Sequence, residues 1–207
     1  EGVMCNGFTC FCILQACINM GLNTCRHVHV WALHCGVELT LCFFNNLINL
    51  YWKSGALVEA QGVFDQVPNP EIVTWNTMLS GYVQHEFFDE ALIMLQKMVH
   101  AKVKPDSITI VTAVKACTNI EALKDGMDVH KYVYLSGIEL DRFVASTLID
   151  FYGSCGELEN AHNVFDRLLH KDVVCWNSMI SVLVKHENAQ EAFELFRKMM
   201  NVGVKPD

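Results

Sequence analysis

The chain repeats itself. Residues 41–106 align on residues 142–207 without a gap, at an offset of 101, with 25 of 66 positions identical. Ungapped identity at that level marks an internal duplication, so the same structural unit must be built twice. Each copy carries a G-x-L-x-x-A-x-x-V-F-D run: Gly55, Leu57, Ala60, Val63, Phe64 and Asp65 in the first, Gly156, Leu158, Ala161, Val164, Phe165 and Asp166 in the second. Each continues into V-x-W-N-x-M, with Val73, Trp75, Asn76 and Met78 against Val174, Trp176, Asn177 and Met179, and each closes on V-K-P-D. Upstream, Ala16-Cys17 answers to Ala116-Cys117 and His29 to His130, with one residue fewer between them in the first copy.

Smaller units lie inside the period. Trp75, Met78, Leu79 and Tyr82 are spaced i, i+3, i+4, i+7, one face of a helix, and Ala91, Met94, Leu95 and Met98 repeat that spacing. Pro105 cannot continue the second helix. The expected unit is a helical hairpin of 31 to 35 residues: 7–40, 41–71, 72–106, 107–141, 142–172 and 173–207, with 1–6 as the end of a preceding unit. One hairpin cannot bury both its faces. The expected fold is therefore all-α, an α-solenoid of helix-turn-helix hairpins stacked into a right-handed superhelix with a continuous core and a concave groove. Long alternating β-branched runs are absent and Gly and Pro are sparse, at 12 and 4, which argues against sheets.

Composition narrows the class. At 52% hydrophobic and 18% charged residues the chain is too apolar for disorder. Its apolar stretches, such as 47–51, are broken by Asn far short of the ~20 residues a membrane span needs. It opens on Glu1 with no basic and apolar leader, and reads as a segment of a longer protein. The ten cysteines include no C-x-x-C pair and seven fall within the first 42 residues, so most are expected to be small buried hydrophobes. Cys25, His27, His29, His34 and Cys35 form the one cluster with ligand chemistry, but the spacing of structural zinc sites is missing. No metal and no cofactor is expected. The net charge of -8 is at odds with a protein that neutralises phosphates broadly.

Most Trp, Met and Phe residues are accounted for by core packing, so function is sought among polar residues that packing does not explain. Asn76 stands in an otherwise apolar helix opening and recurs as Asn177, and a carboxylate ends each copy, Asp106 and Asp207. An amide donates and accepts together, as reading the edge of a base requires. Asn and Asp are also preferred helix caps, and on the residues alone the two readings are equal.

These residues resemble pentatricopeptide repeats of the plant PLS type, in which 35-residue P and L motifs alternate with 31-residue S motifs. The resemblance covers residues 7–207, with P-type units at 72–106 and 173–207, L-type units at 7–40 and 107–141, and S-type units at 41–71 and 142–172. Ala116-Cys117 and Gly126 with His130 are the L-type signature, and the G-x-L-x-x-A-x-x-V-F-D run is the S-type one. His29 and Cys17 thereby become recurrent motif positions. The resemblance implies that the fifth and last residues of each unit together select one RNA base, reading 5′ to 3′ from the N-terminus. Asn76 with Asp106, and Asn177 with Asp207, then look uracil-preferring, and Ser146 with Asp172 guanine-preferring. Asn45 with Glu71 departs by one methylene and implies a weaker pyrimidine preference. Phe11 with Thr40, and Val111 with Asp141, have apolar fifth residues that imply little selectivity. The implied footprint is any base, pyrimidine, U, any base, G, U, with Val73 and Val174 sandwiching bases. The implied partner is single-stranded RNA, with other RNA-editing or processing factors and no membrane, in mitochondrion or chloroplast. The implied role is direction of organelle RNA processing such as C-to-U editing.

Two other classes compete with this one. An enzyme is not expected: a zinc deaminase needs H-x-E with C-x-x-C, and neither occurs. His85-Glu86 and His186-Glu187 recur, but read as solvated turn residues. A tetratricopeptide-like α-solenoid mediating protein-protein interaction is the alternative, since Trp75 and Tyr82 mimic part of that opening. A fixed 34-residue period is missing, however. Charge leans toward the C-terminal end: residues 1–71 carry 2 Lys+Arg against 5 acids, and residues 173–207 carry 4 against 4.

Overall fold

Four of the five described first helices open on a side chain that takes up a free backbone N–H, and each ends at one recurring turn. The structure is a computed structural model and describes residues 13, 16, 20–34 and 40–205. Phe11, Cys17, Cys35, Asp207 and the segment 1–6 lie outside the described residues. Among the described residues all regular structure is helical: α1 (Leu22–His34), α2 (Leu41–Lys53), α3 (Leu57–Phe64), α4 (Ile72–Gln84), α5 (Phe88–His100), α6 (Ser107–Asn119), α7 (Leu123–Ser136), α8 (Arg142–Ser154), α9 (Leu158–Arg167), α10 (Val173–Lys185) and α11 (Ala189–Asn201). No helix among them is long and apolar enough to cross a membrane.

The turn between paired helices has one design. Gly55, Glu86, Glu121, Gly156 and Glu187 each stand fourteen residues after the first residue of their first helix, and each has positive φ, from 51° to 77°. The next residue donates its N–H to a carbonyl five residues back: Ala56 to Tyr51, Phe87 to Tyr82, Ala122 to Cys117, Glu157 to Tyr152 and Asn188 to Leu183, at 2.8–2.9 Å. This closes the helix end in the manner of a Schellman turn. Glycine takes the left-handed backbone freely, whereas the three glutamates hold it at a steric cost.

The chain divides into two compact units, Glu1–Lys104 and Pro105–Asp207. In the first, α2 packs on α1, α3 and α4, and α4 also packs on α3 and α5. In the second, α6, α8 and α10 form a row of first helices, with α7 against α6 and α8, α9 against α8 and α10, and α11 against α10. The two repeated runs meet in the core. Phe64 stands edge-on to Trp75 at 4.9 Å, and Phe165 to Trp176 at 5.0 Å. Such aromatic pairs contribute beyond their buried area.

Two histidines of the ligand-like cluster, His29 and His34, have other partners. His29 Nδ1 and the Tyr51 hydroxyl share a hydrogen bond of 2.9 Å, repeated by His130 and Tyr152 at 2.8 Å. His34 Nδ1 bonds the Val30 carbonyl at 2.8 Å, and Cys25 is buried with its thiol directed to the Gly21 carbonyl. No group of three or more His, Cys, Asp or Glu able to hold a metal occurs among the described residues. His85 and His186 are not simply solvated. His85 stacks on Trp52 with ring centroids 5.4 Å apart, and His186 Nε2 lies 2.6 Å from the Gly153 carbonyl.

Candidate nucleic-acid interface

The last residue of each repeat unit is the N-cap of the first helix that follows. Thr40, Glu71, Asp106, Asp141 and Asp172 cap α2, α4, α6, α8 and α10 in turn. Asp106 forms a capping box: Thr109 donates its backbone N–H to Oδ1 at 2.9 Å, and the Asp106 N–H donates to the Thr109 hydroxyl at 3.2 Å. Asp141 Oδ1 accepts from the N–H groups of Phe143 and Val144 at 2.8 and 2.9 Å, and Asp172 Oδ1 accepts from Cys175 N–H at 3.0 Å. Glu71 makes no side-chain cap bond, because its extra methylene moves the carboxylate out of reach. Capping is therefore real for the aspartates. In all three it runs through Oδ1, so capping alone does not exhaust the acceptor capacity of the carboxylate.

The fifth residues Asn45, Asn76, Val111, Ser146 and Asn177 lie in the opening turns of α2, α4, α6, α8 and α10. Asn45 Oδ1 is buried without a hydrogen-bond partner, which in a folded protein is uncommon. Ser146 is the most enclosed of the five, and its hydroxyl donates back to the Phe143 carbonyl at 3.3 Å. Asn177 is exposed, and Asn76 and Val111 are half-buried. Side-by-side packing of first helices brings together the elements that carry Asn45 and Glu71, Val111 and Asp141, and Ser146 and Asp172. Asn76 belongs to the first compact unit and Asp106 to the second, and the partner of Asn177 is the undescribed Asp207.

Packing does not account for the second residues. Val73 is 57% exposed and Val174 42%, although Trp75 and Trp176, two residues further on the same helices, are buried. Sequence reasoning named only these two and missed their counterparts. Ile108 is 61% exposed and Phe143 57%, and Cys42 is exposed at the same position. The second-residue rule extended to every unit would have found them. An exposed apolar side chain beside a polar amide and a cap carboxylate offers a stacking surface next to hydrogen-bonding groups, the two elements of single-stranded base recognition.

The chain is similar to known proteins. A model described as PPR repeat family matches residues 70–119 and 171–207, and one described as PPR repeat matches 42–68 and 143–173. The chain is 34% identical over 94% of its length to the Arabidopsis thaliana pentatricopeptide repeat-containing protein At1g08070, chloroplastic, and 37% identical over 89% to At1g11290, chloroplastic, from the same plant. It spans about a quarter of those relatives, 27% and 23%. Among solved structures, the pentatricopeptide repeat protein PPR10 in complex with an 18-nt psaJ RNA element superposes over 98% of this chain and 31% of its own, with a TM-score of 0.75 at 22% identity. PPR10 is a maize protein. At that identity the likeness shows the fold.

Proposed function

Because the chain belongs to the pentatricopeptide repeat family, we propose that it binds single-stranded RNA sequence-specifically, one base per repeat. The observation that carries this is the recurrence, in successive first helices, of an exposed apolar second residue and a fifth residue in the opening turn, with a cap carboxylate at the start of the next first helix. Those groups can stack on a base and bond its edge, and none of the apolar second residues is needed by the core. Asn76 with Asp106 and Asn177 with Asp207 read U, Ser146 with Asp172 reads G, and Asn45 with Glu71 reads a pyrimidine. Val111 with Asp141, and Phe11 with Thr40, select weakly. Val73 and Val174 sandwich bases.

The units are read as PLS-type repeats with the boundaries given above. The chain is then the address-reading part of a chloroplast or mitochondrial protein directing an RNA-processing step such as C-to-U editing, with the catalyst supplied elsewhere. The PPR10 complex with RNA and the chloroplastic relatives support this assignment.

Titration with a labelled RNA carrying the hexamer N-Y-U-N-G-U, and with copies altered at the third, fifth or sixth base, tests the reading. Each altered base should cost ~1–3 kcal/mol. Asn76→Ser should move the third-base preference from U toward G. Equal affinity for all RNAs would refute the code.

A further inference from the structure

In the second compact unit, the connection between α7 and α8 and that between α9 and α10 enclose an open cleft of ≈ 600 Å³. Arg142, Arg167 and His170 line it, together with the cap residues Asp141 and Asp172 and with Glu139. The two aspartates face helix N-termini, whose N–H groups offset their charge. Glu139 is the lining carboxylate that caps nothing.

The cations are not tied up by these acids. The Arg142 side chain is 60% exposed, and its approach to Asp172 Oδ2, 3.9 Å, is too long for a bidentate pair. Its guanidinium lies instead over the exposed Phe143 ring, 4.6 Å from the centroid. Arg167 stands 5.9 Å from the Tyr134 ring. Lys171, just beyond the lining, donates to the Leu168 carbonyl at 2.8 Å.

The duplication supplies an internal control. The positions equivalent to Arg142, Phe143, Arg167 and His170 in the first copy are Leu41, Cys42, Gln66 and Asn69. That copy builds the same hairpins, and caps α2 through Thr40, without a single cation at those positions. The fold therefore does not require the cationic set, and something other than the fold accounts for it.

We propose that this cleft grips the ribose-phosphate backbone of the bound RNA, with the Arg142 and Arg167 forks and a His170 ring N–H as phosphate donors beside the bases read at Ser146 and Asp172. The proposal rests on the RNA-binding reading and states where an acidic chain holds phosphate: at one site in the second copy. Phosphate contacts position a nucleic acid without reading its sequence, so removing them weakens binding uniformly.

The test is titration of the whole chain with a fluorescein-labelled single-stranded RNA carrying the hexamer, across a series of salt concentrations. The variant is Arg142→Leu/Arg167→Gln/His170→Asn, which installs the residues of the first copy. Affinity at low salt should fall roughly tenfold, and the slope of log K against log[salt] should become shallower by about 0.7 for each phosphate no longer neutralised. The preference for U at the third base should be unchanged. Arg142→Leu and Arg167→Gln singly, each expected to take part of the effect, serve if the triple variant loses helicity. Selective binding by the unaltered chain with the variants' affinity and slope unchanged would overturn the cleft alone. Absence of any selective RNA binding by the unaltered chain would overturn the parent reading, and the cleft with it.

Discussion

Trp52 lies face to face with Gly81, and at the equivalent positions of the second copy Gly153 lies against Val182. A methyl added at residue 81 would overlap the Trp52 indole, and one at residue 153 would overlap the Val182 side chain. The large and small partners have changed sides between the copies. A second exchange accompanies it: Gly126 accommodates the Phe151 ring, whereas the equivalent pair in the first copy is Cys25 and Leu50, both buried. Interiors packed to crystal-like density allow a residue to grow only where its neighbour shrinks.

Gly81→Val should therefore destabilise the chain by about 3 kcal/mol, through overpacking against Trp52. Trp52→Gly/Gly81→Val, which installs the pairing of the second copy, should recover part of that loss. Urea unfolding of the two single variants and the double gives the coupling energy, and additive losses would show that the indole is not the obstacle.

The glutamates at the helix-pair turns are held in left-handed backbone, with φ of 65° at Glu86 and 59° at Glu187. Glu86→Gly and Glu187→Gly should each stabilise the chain by about 1 kcal/mol, as relief of backbone strain outweighs the entropy glycine adds to the unfolded state. A lowered thermal midpoint would contradict this.

Capping and base reading separate at two cap positions. Asp172→Ala removes the acceptor for Cys175 N–H and should cost about 1 kcal/mol of stability, along with the preference at the fifth base. Glu71→Ala removes no cap bond and should leave stability within about 0.5 kcal/mol while flattening the preference at the second base. Thermal melts paired with RNA titrations read both quantities.

Acid should weaken the packing of the two His–Tyr pairs. Burial holds His29 and His130 below the ordinary histidine value of 6.5, and the nearby Arg167 lowers His130 further. The folded chain thus keeps these rings neutral where the unfolded chain takes up protons. Their contribution is fully present above about pH 6.5 and is lost progressively as pH falls toward the folded values. Denaturation at about pH 7.5 and 5.5 should show lower stability at the acid end, and His29→Gln/His130→Gln should narrow the gap.

Much of this molecule is legible along the chain because its rules are local. The 3.6-residue spacing of Trp75, Met78, Leu79 and Tyr82 belongs to one helix, the 101-residue offset shows that it is built twice, and the position of Asp106 after Pro105 marks the next helix start. The candidate base-reading residues could be named for the same reason, being set by their place in the repeat. What the chain alone left open was decided by tertiary geometry. Capping at Asp106, one of two equal possibilities along the chain, is a geometric fact in the fold, where the Thr109 N–H is bound to one carboxylate oxygen. Val73 and Phe143 stand exposed while the adjacent Thr74 and Val144 are fully buried, a choice of face made by the packing of the helices. The Trp52–Gly81 exchange and the gathering of Arg142 with Arg167 join residues from separate helices. No periodicity reports such meetings, since they depend on how far apart two packed backbones settle and on which side chains fill the space between them.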